Sequence, residues 1–486
     1  MKSFLVFTCS LFIYGFTLAQ PDDIYYSPER KPKPLKDRKS YTPLKDRQPE
    51  AGKSLYFTAG PTNTFYDSES NDKEIYYYIF LQGQKYTPAD NIENPSMNIS
   101  FVIDRSGSMS GDKLNYAKKA VDFAIDMMGD NDYVSIVQYD DKIETVLEPT
   151  VVKDKEKIHK KVQEISSGGS TDLCGGMQKG LDYVKSSRDK ISGNKSIHRV
   201  ILLSDGLANT GIIKPEEITA ISRNYYQENS VTISTVGVGS DYNEELMTKI
   251  SIEGGGNYHF IDNPEKMPEI FEREFLDMKS LVAKNVILEI TFPQDMVYFD
   301  KVFQYPYTQN GNKIRIKLTD FYAEQQKPIL IKFRAKNIPG SEMDFRTKLT
   351  YMNVIEGDQL MTDEKSSVVT ATANKKLIAE GIQADAHMGY TLMLSSEYLS
   401  KAQDECDKRN FETARQMVKK GMDIIDEHFY YVIPNPYLED IYENLKKYKD
   451  EIKELETTKD PVTFRLIQKG SKHKAYKGSY KAVRFL

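Results

Sequence analysis

Tryptophan is absent from this chain of 486 residues, and cysteine and histidine are scarce. The absence of tryptophan removes intrinsic tryptophan fluorescence as a readout of binding. Three cysteines do not favour a disulfide framework, since Cys9 lies in an N-terminal apolar segment and Cys174 and Cys406 fall in helices of different predicted domains. We expect the last two to be free buried thiols. The six histidines are scattered, without the paired spacing of a zinc site or a partner for a nucleophile.

A strong excess of charge and long apolar runs are also missing. The formal net charge is −5, which does not suggest nucleic acid as a partner. Beyond the N-terminal segment, no apolar stretch is long enough to span a membrane. The glycine pairs and triplets, Gly168-Gly169 and Gly254-Gly255-Gly256, lack the Gly-Lys-Ser/Thr of a phosphate loop. We therefore expect no nucleic-acid partner, no transmembrane segment and no enzyme activity.

Three segments carry a set of oxygen-bearing side chains. Asp104, Ser106 and Ser108 lie in Ile-Asp-Arg-Ser-Gly-Ser-Met, Thr171 lies in Gly-Gly-Ser-Thr-Asp, and Asp205 lies in Leu-Leu-Ser-Asp-Gly. Asp104 and Asp205 each end a short apolar run, which is typical of a buried parallel strand. Because ligands bind outside the carboxyl ends of parallel strands, we expect these segments to meet in one crevice.

The chemistry of this set favours a hard cation. Only oxygens are offered, which suits Mg²⁺, whereas Zn²⁺ prefers histidine or cysteine. Mg²⁺ keeps several waters, so a position can remain open for a ligand. The alternative is that Ser106, Ser108 and Thr171 only cap helices, which their side chains would permit. Capping gives no reason for an acid at the end of both strands.

The set resembles the metal-ion-dependent adhesion site of von Willebrand factor type A domains, in which Asp-x-Ser-x-Ser is followed by a Thr and then an Asp. By this resemblance, Ser106, Ser108 and Thr171 would contact Mg²⁺ or Mn²⁺, and Asp104 and Asp205 would act largely through water. An Asp or Glu of a partner protein would fill the open position. The resemblance thus implies protein binding through a metal.

The fold class follows from strands that alternate with helices over residues 97–280. This order predicts an α/β domain with a doubly wound, mostly parallel sheet, the Rossmann-like fold that the resemblance implies. Asp172 stands where the family often has Asn, and we expect it to cap the following helix. Strand patterns at 51–96 and 283–375 predict a β-sandwich in two parts, with the α/β domain inserted between them. That order resembles secreted bacterial type A domain proteins and, more distantly, inter-alpha-trypsin inhibitor heavy chains.

The remaining segments are read from composition and periodicity. Residues 1–19 resemble a signal peptide, which predicts a secreted, periplasmic or cell-surface protein. Residues 20–50 are rich in proline and charge and predict a disordered linker, with a docking motif as the alternative for its repeated Pro-Leu-Lys-Asp-Arg. Residues 376–458 predict a small helical domain. Residues 459–486 form a basic tail, which either contacts an anionic surface of the envelope or only keeps the chain soluble.

The function that this reading favours is an exported, metal-dependent, adhesion-type protein-binding module. A second hypothesis is a structural envelope protein in which the metal only rigidifies the fold, and a less favoured third is a metal-assisted hydrolase. Metal dependence of partner binding separates the first two, and turnover that is lost in Asp104→Ala would favour the third. The type A resemblance also suggests that ligand engagement is coupled to the last helix, 265–279. The alternative is a short, rigid junction.

Overall fold

The computed structural model describes residues 38–42, 47–70, 73–86, 95–191, 196–205, 208–238, 243–261, 265, 267–336, 340–460, 463–464 and 467–468. The predicted signal peptide and most of the predicted basic tail lie outside the described residues. Among the described residues, no helix combines the length and the apolar character needed to span a membrane.

The chain begins with three strands that precede the α/β domain: β1 (Leu55–Pro61), β2 (Phe65–Asp67) and β3 (Glu74–Gly83). The α/β domain then runs through β4 (Ser96–Asp104), α1 (Asp112–Met127), β5 (Tyr133–Tyr139), β6 (Ile143–Val151), α2 (Lys155–Gln163), α3 (Leu173–Ser187), β7 (Ser196–Ser204), α4 (Pro215–Asn229), β8 (Thr232–Val238), α5 (Glu244–Glu253), β9 (Gly255–Ile261) and α6 (Met267–Lys279).

The sheet of this domain has the order β6-β5-β4-β7-β8-β9. Its strands are parallel apart from β6, which pairs antiparallel with β5 at the edge. Helices α1, α2 and α6 pack on one face, and α3, α4 and α5 pack on the other. Burial on both faces explains why β4 and β7 are continuous apolar runs. The predicted doubly wound, mostly parallel sheet is confirmed; the antiparallel β6 was not predicted.

The strands after α6 complete a β-sandwich: β10 (Leu281–Thr291), β11 (Val297–Val302), β12 (Thr308–Asn310), β13 (Lys313–Tyr322), β14 (Gln326–Ala335), β15 (Glu342–Asn353) and β16 (Gln359–Thr372). Its two sheets have the orders β1-β3-β14-β11 and β12-β13-β10-β15-β16-β2. The segment before the α/β domain contributes to both sheets, since β3 lies between β1 and β14, and β2 pairs with β16. The α/β domain is therefore inserted in a β-sandwich, as predicted.

A helical region follows, with α7 (Lys375–Glu380), α8 (Ala384–Asp407), α9 (Phe411–Tyr431) and α10 (Pro436–Thr457). It packs on the outer face of the four-stranded sheet. Along β3, Tyr77 and Ile79 belong to the core between the sheets, whereas Tyr78 and Phe80 belong to the core beneath the helices. Strand β3 is thus buried on both faces, which explains its unbroken run of aromatic and aliphatic residues.

The prediction of a disordered linker at residues 20–50 is wrong for the part that the structure describes. Lys39 pairs with Val432 in a parallel bridge. Arg47 is fully buried, 3.2 Å from a carboxylate oxygen of Asp385, and its guanidinium carbon lies 4.9 Å from the centre of the Phe80 ring. The charged composition suggested that this segment is disordered. An arginine can nevertheless be buried when its charge is paired and its guanidinium plane lies over an aromatic ring.

Cys174 and Cys406, the cysteines that the described residues include, are buried free thiols, as expected. Burial raises the pKa of Cys174 to about 11. Because the thiolate is the reactive form, this thiol should be inert at neutral pH.

Candidate metal centre

The candidate centre lies where two adjacent strands end. Strands β4 and β7 pair in parallel, with Ile103 opposite Leu203. Asp104 is the last residue of β4, and Asp205 directly follows the last residue of β7. The two acids predicted from the sequence therefore lie side by side at the carboxyl edge of the sheet, the usual ligand site of such a fold.

Asp104 is fixed by hydrogen bonds to both carboxylate oxygens. Oδ1 accepts the backbone N–H of Ser106 at 2.8 Å, and Oδ2 accepts the hydroxyl of Ser204 at 2.6 Å. Burial raises the pKa of Asp104, against the lowering effect of the hydrogen bonds from Ser106 and Ser204. The carboxylate is therefore held in one orientation beneath the turn that carries the serines.

The two serines lie on the tight turn that follows. The Oγ atoms of Ser106 and Ser108 are 3.1 Å apart, and Ser108 Oγ donates to Asp205 Oδ1 at 2.8 Å. The turn is closed by a hydrogen bond from Met109 N–H to the Ser106 carbonyl, and Met109 is fully buried. Because the serine hydroxyls are directed to each other and to Asp205, helix capping does not explain their presence.

Thr171 is held beside this group by its loop. Gly107 N–H donates to the Gly169 carbonyl at 3.0 Å, and Gly168 N–H donates to the Arg105 carbonyl at 2.6 Å. The backbone N–H of Thr171 donates to Asn209 Oδ1 at 2.8 Å. The structure thus joins Asp104, both serines and Asp205 through hydrogen bonds and places Thr171 on the adjoining loop, anchored through its backbone.

Asp172 is the N-cap residue of α3, as expected. Its carboxylate accepts the backbone N–H of Gly175 at 2.9 Å. The negative charge of Asp172 therefore caps the N-terminus of α3, a position where an acidic side chain is favoured.

Sequence reasoning missed Asp140 and Arg105, which hold the Thr171 loop. Asp140 accepts the N–H groups of Lys142 at 2.8 Å and Gly169 at 3.2 Å, and it pairs with Arg105 at 3.0 Å. Burial raises the pKa of Asp140, but these N–H groups and Arg105 outweigh it and lower the pKa below its ordinary value. A signal was available, because Asp140 directly follows β5 as Asp205 follows β7.

Sequence reasoning also missed Lys113, in the first turn of α1. Its ammonium group forms an ion pair with Asp205 Oδ2, the carboxylate oxygen that Ser108 leaves free. The Asp205 side chain is fully buried, whereas that of Lys113 is 27% exposed. The sequence carries no signal for this contact, because it depends on how α1 leaves the serine turn.

The centre opens onto the surface. Its acids are buried, while Gly107, Ser108 and residues 168–170 are exposed. The loop that begins at Asn209 continues into two exposed isoleucines, Ile212 and Ile213. The exposed hydroxyl of this group is therefore accessible from solvent, and the neighbouring loop carries exposed apolar side chains.

The donor set fits Mg²⁺. In an octahedron with metal–oxygen distances of 2.0–2.1 Å, neighbouring oxygens are about 2.9 Å apart, whereas the longer bonds to Ca²⁺ require about 3.3 Å or more. The hydroxyl oxygens of Ser106 and Ser108 are 3.1 Å apart, a hydrogen-bond distance that lies midway between the two values, so the fit to Mg²⁺ rests on the oxygen-only donor set. Across the described residues, no group of three or more His, Cys, Asp or Glu side chains is arranged to hold a metal.

The sheet order and its two helical layers are those of a von Willebrand factor type A domain. The model of the von Willebrand factor type A domain family matches residues 98–273. Residues 98–273 therefore form a von Willebrand factor type A domain.

Relatives extend this finding. The uncharacterized protein YfbK of Escherichia coli K12 is 33% identical over 41% of this chain and 34% of its own length. Inter-alpha-trypsin inhibitor heavy chain H3 of Rattus norvegicus is 25% identical over 45% of this chain and 25% of its own. The chain thus matches about a third of the length of the first relative and about a quarter of the length of the second.

A solved structure shares most of the architecture. The von Willebrand factor type A protein from Catenulispora acidiphila superposes with a TM-score of 0.65 and covers 90% of this chain and 99% of its own, at 16% identity. At that identity the likeness shows a common fold.

Proposed function

We propose that this protein is exported and binds a partner protein through a divalent cation, Mg²⁺ or Mn²⁺, held at the candidate metal centre. The observation that carries the proposal is the hydrogen-bonded group of Asp104, Ser106, Ser108 and Asp205, which is buried at its acids and exposed at Ser108. A cation held there would act as a Lewis acid for a carboxylate from the partner. The export step rests on the signal peptide predicted at residues 1–19.

The ligands divide into hydroxyls and carboxylates. Ser106, Ser108 and Thr171 would hold the cation directly, while Asp104 and Asp205 would act largely through water. This division is supported by Asp104, since both of its oxygens already accept hydrogen bonds. Neutral hydroxyl ligands compensate the charge of a cation less at short range than directly bound carboxylates would, which favours capture of an Asp or Glu from the partner.

The surroundings suit a protein partner. Ile212 and Ile213 lie on the loop that is hydrogen-bonded to Thr171, and Ile213 is 54% exposed. Ile143, on β6, is also exposed. Exposed apolar side chains next to a polar centre are typical of an interaction surface. The acidic residue of the partner would bind the cation while its apolar neighbours cover these isoleucines. The basic tail would add contact with an anionic surface.

We propose binding without catalysis. The acids in contact with the centre are each engaged: Asp104 by hydrogen bonds, Asp205 by Ser108 and Lys113, and Asp140 by Arg105. Each of these carboxylates is held in place by donors of the protein, which suits a role in arranging a cation rather than proton transfer.

The metal step is tested by calorimetric titration of chelator-treated protein. We expect a single site that takes Mg²⁺ or Mn²⁺ and discriminates against Zn²⁺, because all ligands are oxygens. Asp205→Asn and Ser108→Ala should weaken Mg²⁺ binding at least about tenfold, since each removes a charge or a ligand. Asp141→Asn is the matched control, because Asp141 is an exposed acid on the same rim. Unchanged Mg²⁺ affinity in both Asp205→Asn and Ser108→Ala would show that the metal does not bind at this centre.

The partner step uses cross-linking on intact cells that secrete the full chain, with Mg²⁺ or with chelator. A true partner should be lost with chelator and with Asp205→Asn. Changing one acidic residue of that partner to its amide should abolish the contact. A partner retained in chelator would contradict metal-mediated binding.

A further inference from the structure

The strongest unexplained feature of the molecule is the position of Lys113. It lies in the first turn of α1, where a positive charge is unfavourable because the helix dipole is positive at that end. The preceding Gly111 has φ +78°, a left-handed conformation that suits glycine and lets the chain enter the helix directly after the serine turn. Lys113 therefore stands beside the centre at some cost to its own helix.

The position of Lys113 is set by packing. Leu114 and Ala117 of the same helix are buried in the core of the α/β domain, and Met109 is buried just before the helix. The first turn of α1 is thereby fixed against the sheet. From there the ammonium group reaches Asp205, whose carboxylate has no exposed surface. An ion pair with one fully buried partner is screened much less than a surface pair.

Lys113 changes the charge balance of the centre. Asp104 and Asp205 supply two negative charges and Lys113 one positive, so the three together carry −1. Arg105, the other nearby cation, is already held by Asp140 and Glu144. Without Lys113, the two acids would match the charge of a divalent ion. With Lys113, one positive charge would remain on the loaded centre.

We propose that Lys113 is an internal cation that tunes the centre: it competes with the divalent ion for Asp205 and keeps the loaded centre net positive, so that a carboxylate is needed to complete it. This inference rests on the proposed function and deepens it. Lys113 lowers the affinity for the metal alone and raises the affinity of the loaded centre for an acidic group. Metal and partner then bind together rather than in independent steps.

The test replaces Lys113 in the full chain. Lys113→Met keeps the apolar stem and removes the charge, and Lys113→Arg keeps the charge. Lys118→Met is the matched control, because Lys118 lies on the same helix and donates to the Gln163 carbonyl, away from the centre. Calorimetry with MgCl₂ alone measures the metal affinity, and the midpoint of thermal unfolding in chelator verifies that each variant is folded.

We expect Lys113→Met to bind Mg²⁺ at least about tenfold more tightly than the wild type, because a repelling unit charge is removed. Lys113→Arg should bind Mg²⁺ no more tightly than the wild type, and Lys118→Met should match it. Equal or weaker Mg²⁺ binding by Lys113→Met, or tighter binding by Lys113→Arg, would overturn the competition. The arginine variant keeps the test decisive if the methionine variant fails to fold.

The second arm uses acetate as the carboxylate. With Mn²⁺ bound at equal occupancy, the wild type should broaden the methyl proton resonance of acetate more than Lys113→Met does. Equal broadening would overturn the second half of the inference. If neither protein broadens acetate although both bind Mn²⁺, carboxylate capture, and with it the proposed function, fails, while the Mg²⁺ titration still decides whether Lys113 competes for Asp205.

Discussion

At the scale of single residues, the helical region contains a buried pair of imidazoles. The Nδ1 atoms of His387 and His428 are 2.9 Å apart, and the rings stack with centroids at 5.1 Å. One nitrogen must donate and the other accept, so the accepting ring must be neutral, and the pair cannot form when both rings are protonated. Burial lowers the pKa of His387 to about 4, and burial together with His387 lowers the pKa of His428 well below its ordinary value.

A histidine whose pKa is lowered by folding stabilises the protein above its unfolded pKa of about 6.5, and this contribution is lost as pH falls towards the folded value. We therefore expect the wild type to lose at least about 3 kcal/mol of unfolding free energy between pH 6.5 and 4, relative to His387→Gln/His428→Gln. Urea unfolding followed by circular dichroism over this pH range measures the difference. Parallel curves for the two proteins would contradict the prediction.

His159 provides a control of opposite sign. Partial burial lowers its pKa, but hydrogen bonds with Asp122 and Asp126 outweigh that effect and raise it. A raised pKa contributes stability that is present below the unfolded value and lost as pH rises through the folded one. His159→Gln should therefore cost stability on the acid side, where the buried pair has the reverse effect.

Site residues could be predicted from the sequence where the parallel direction of neighbouring strands determines which side chains lie together. Asp104 and Asp205 could be paired because acids that end adjacent parallel strands must share an edge. Lys113 could not be found that way, since its contact depends on how α1 leaves Gly111. Arg47 was missed because its burial depends on Phe80 and Asp385, which are distant in sequence.

At the scale of elements, one carboxylate fastens the last helix of the α/β domain. Glu274 of α6 accepts hydrogen bonds from Ser234 Oγ at 2.6 Å and Asn257 Nδ2 at 2.8 Å, contacts His259 Nε2 at 3.0 Å, and forms an ion pair with Arg199. Burial raises the pKa of Glu274, but Arg199 and His259 outweigh it and hold the pKa well below its usual range. Helix α6 is thus tied to β7, β8 and β9.

The same network reaches the β-sandwich. Arg199 Nη2 donates to the Tyr322 hydroxyl of β13 at 2.8 Å. Strand β10 begins at Leu281, two residues after α6 ends, so the helix is held both by the chain and by this contact. These ties favour the rigid junction over a helix that shifts freely when a ligand binds.

Removal of this carboxylate should be costly. Glu274→Ala would leave the buried charge of Arg199 uncompensated, so we expect a loss of about 3–5 kcal/mol in unfolding free energy. Glu253→Ala is the control, because Glu253 pairs with Arg223, whose side chain is 41% exposed, and should cost less than about 1 kcal/mol. Urea unfolding measures both, and equal losses would show that the Glu274 network has no special role.

Element prediction followed the strength of periodicity. The parallel strands and their helices were found because they are apolar on a fixed period. Strand β6 was missed because it lies at the sheet edge with Ile143, Glu144 and Thr145 exposed, and its alternation is weak. The short β2 and β12, three residues each, carry too little pattern to be recognised.

At the scale of the whole molecule, the β-sandwich depends on both halves of the chain. Strand β14 has β3 on one side and β11 on the other, and Ile329 of β14 faces Ile79 of β3 in the register. Without β3, the pair of β14 and β11 would be a two-stranded ribbon with its apolar face open, which is marginal in water.

We therefore expect a fragment of residues 281–375 to lack cooperative urea unfolding, whereas residues 96–280 should unfold cooperatively because their sheet is complete. Addition of residues 51–86 to the first fragment should restore the transition. Circular dichroism during urea unfolding measures all three samples. Cooperative unfolding of residues 281–375 alone would contradict a shared sandwich.

The split of the sandwich also orders events during synthesis. Strand β3 emerges well before β14, and until the later strands and helices follow, its two apolar faces are uncovered. Closing so long a loop in an unfolded chain is entropically slow. The α/β domain can fold first and shorten that loop, since β4 starts at Ser96 and β10 follows α6 almost at once. The inserted domain would then serve as a folding aid for the domain that surrounds it, and a mutation that slows its folding would appear as aggregation of the sandwich.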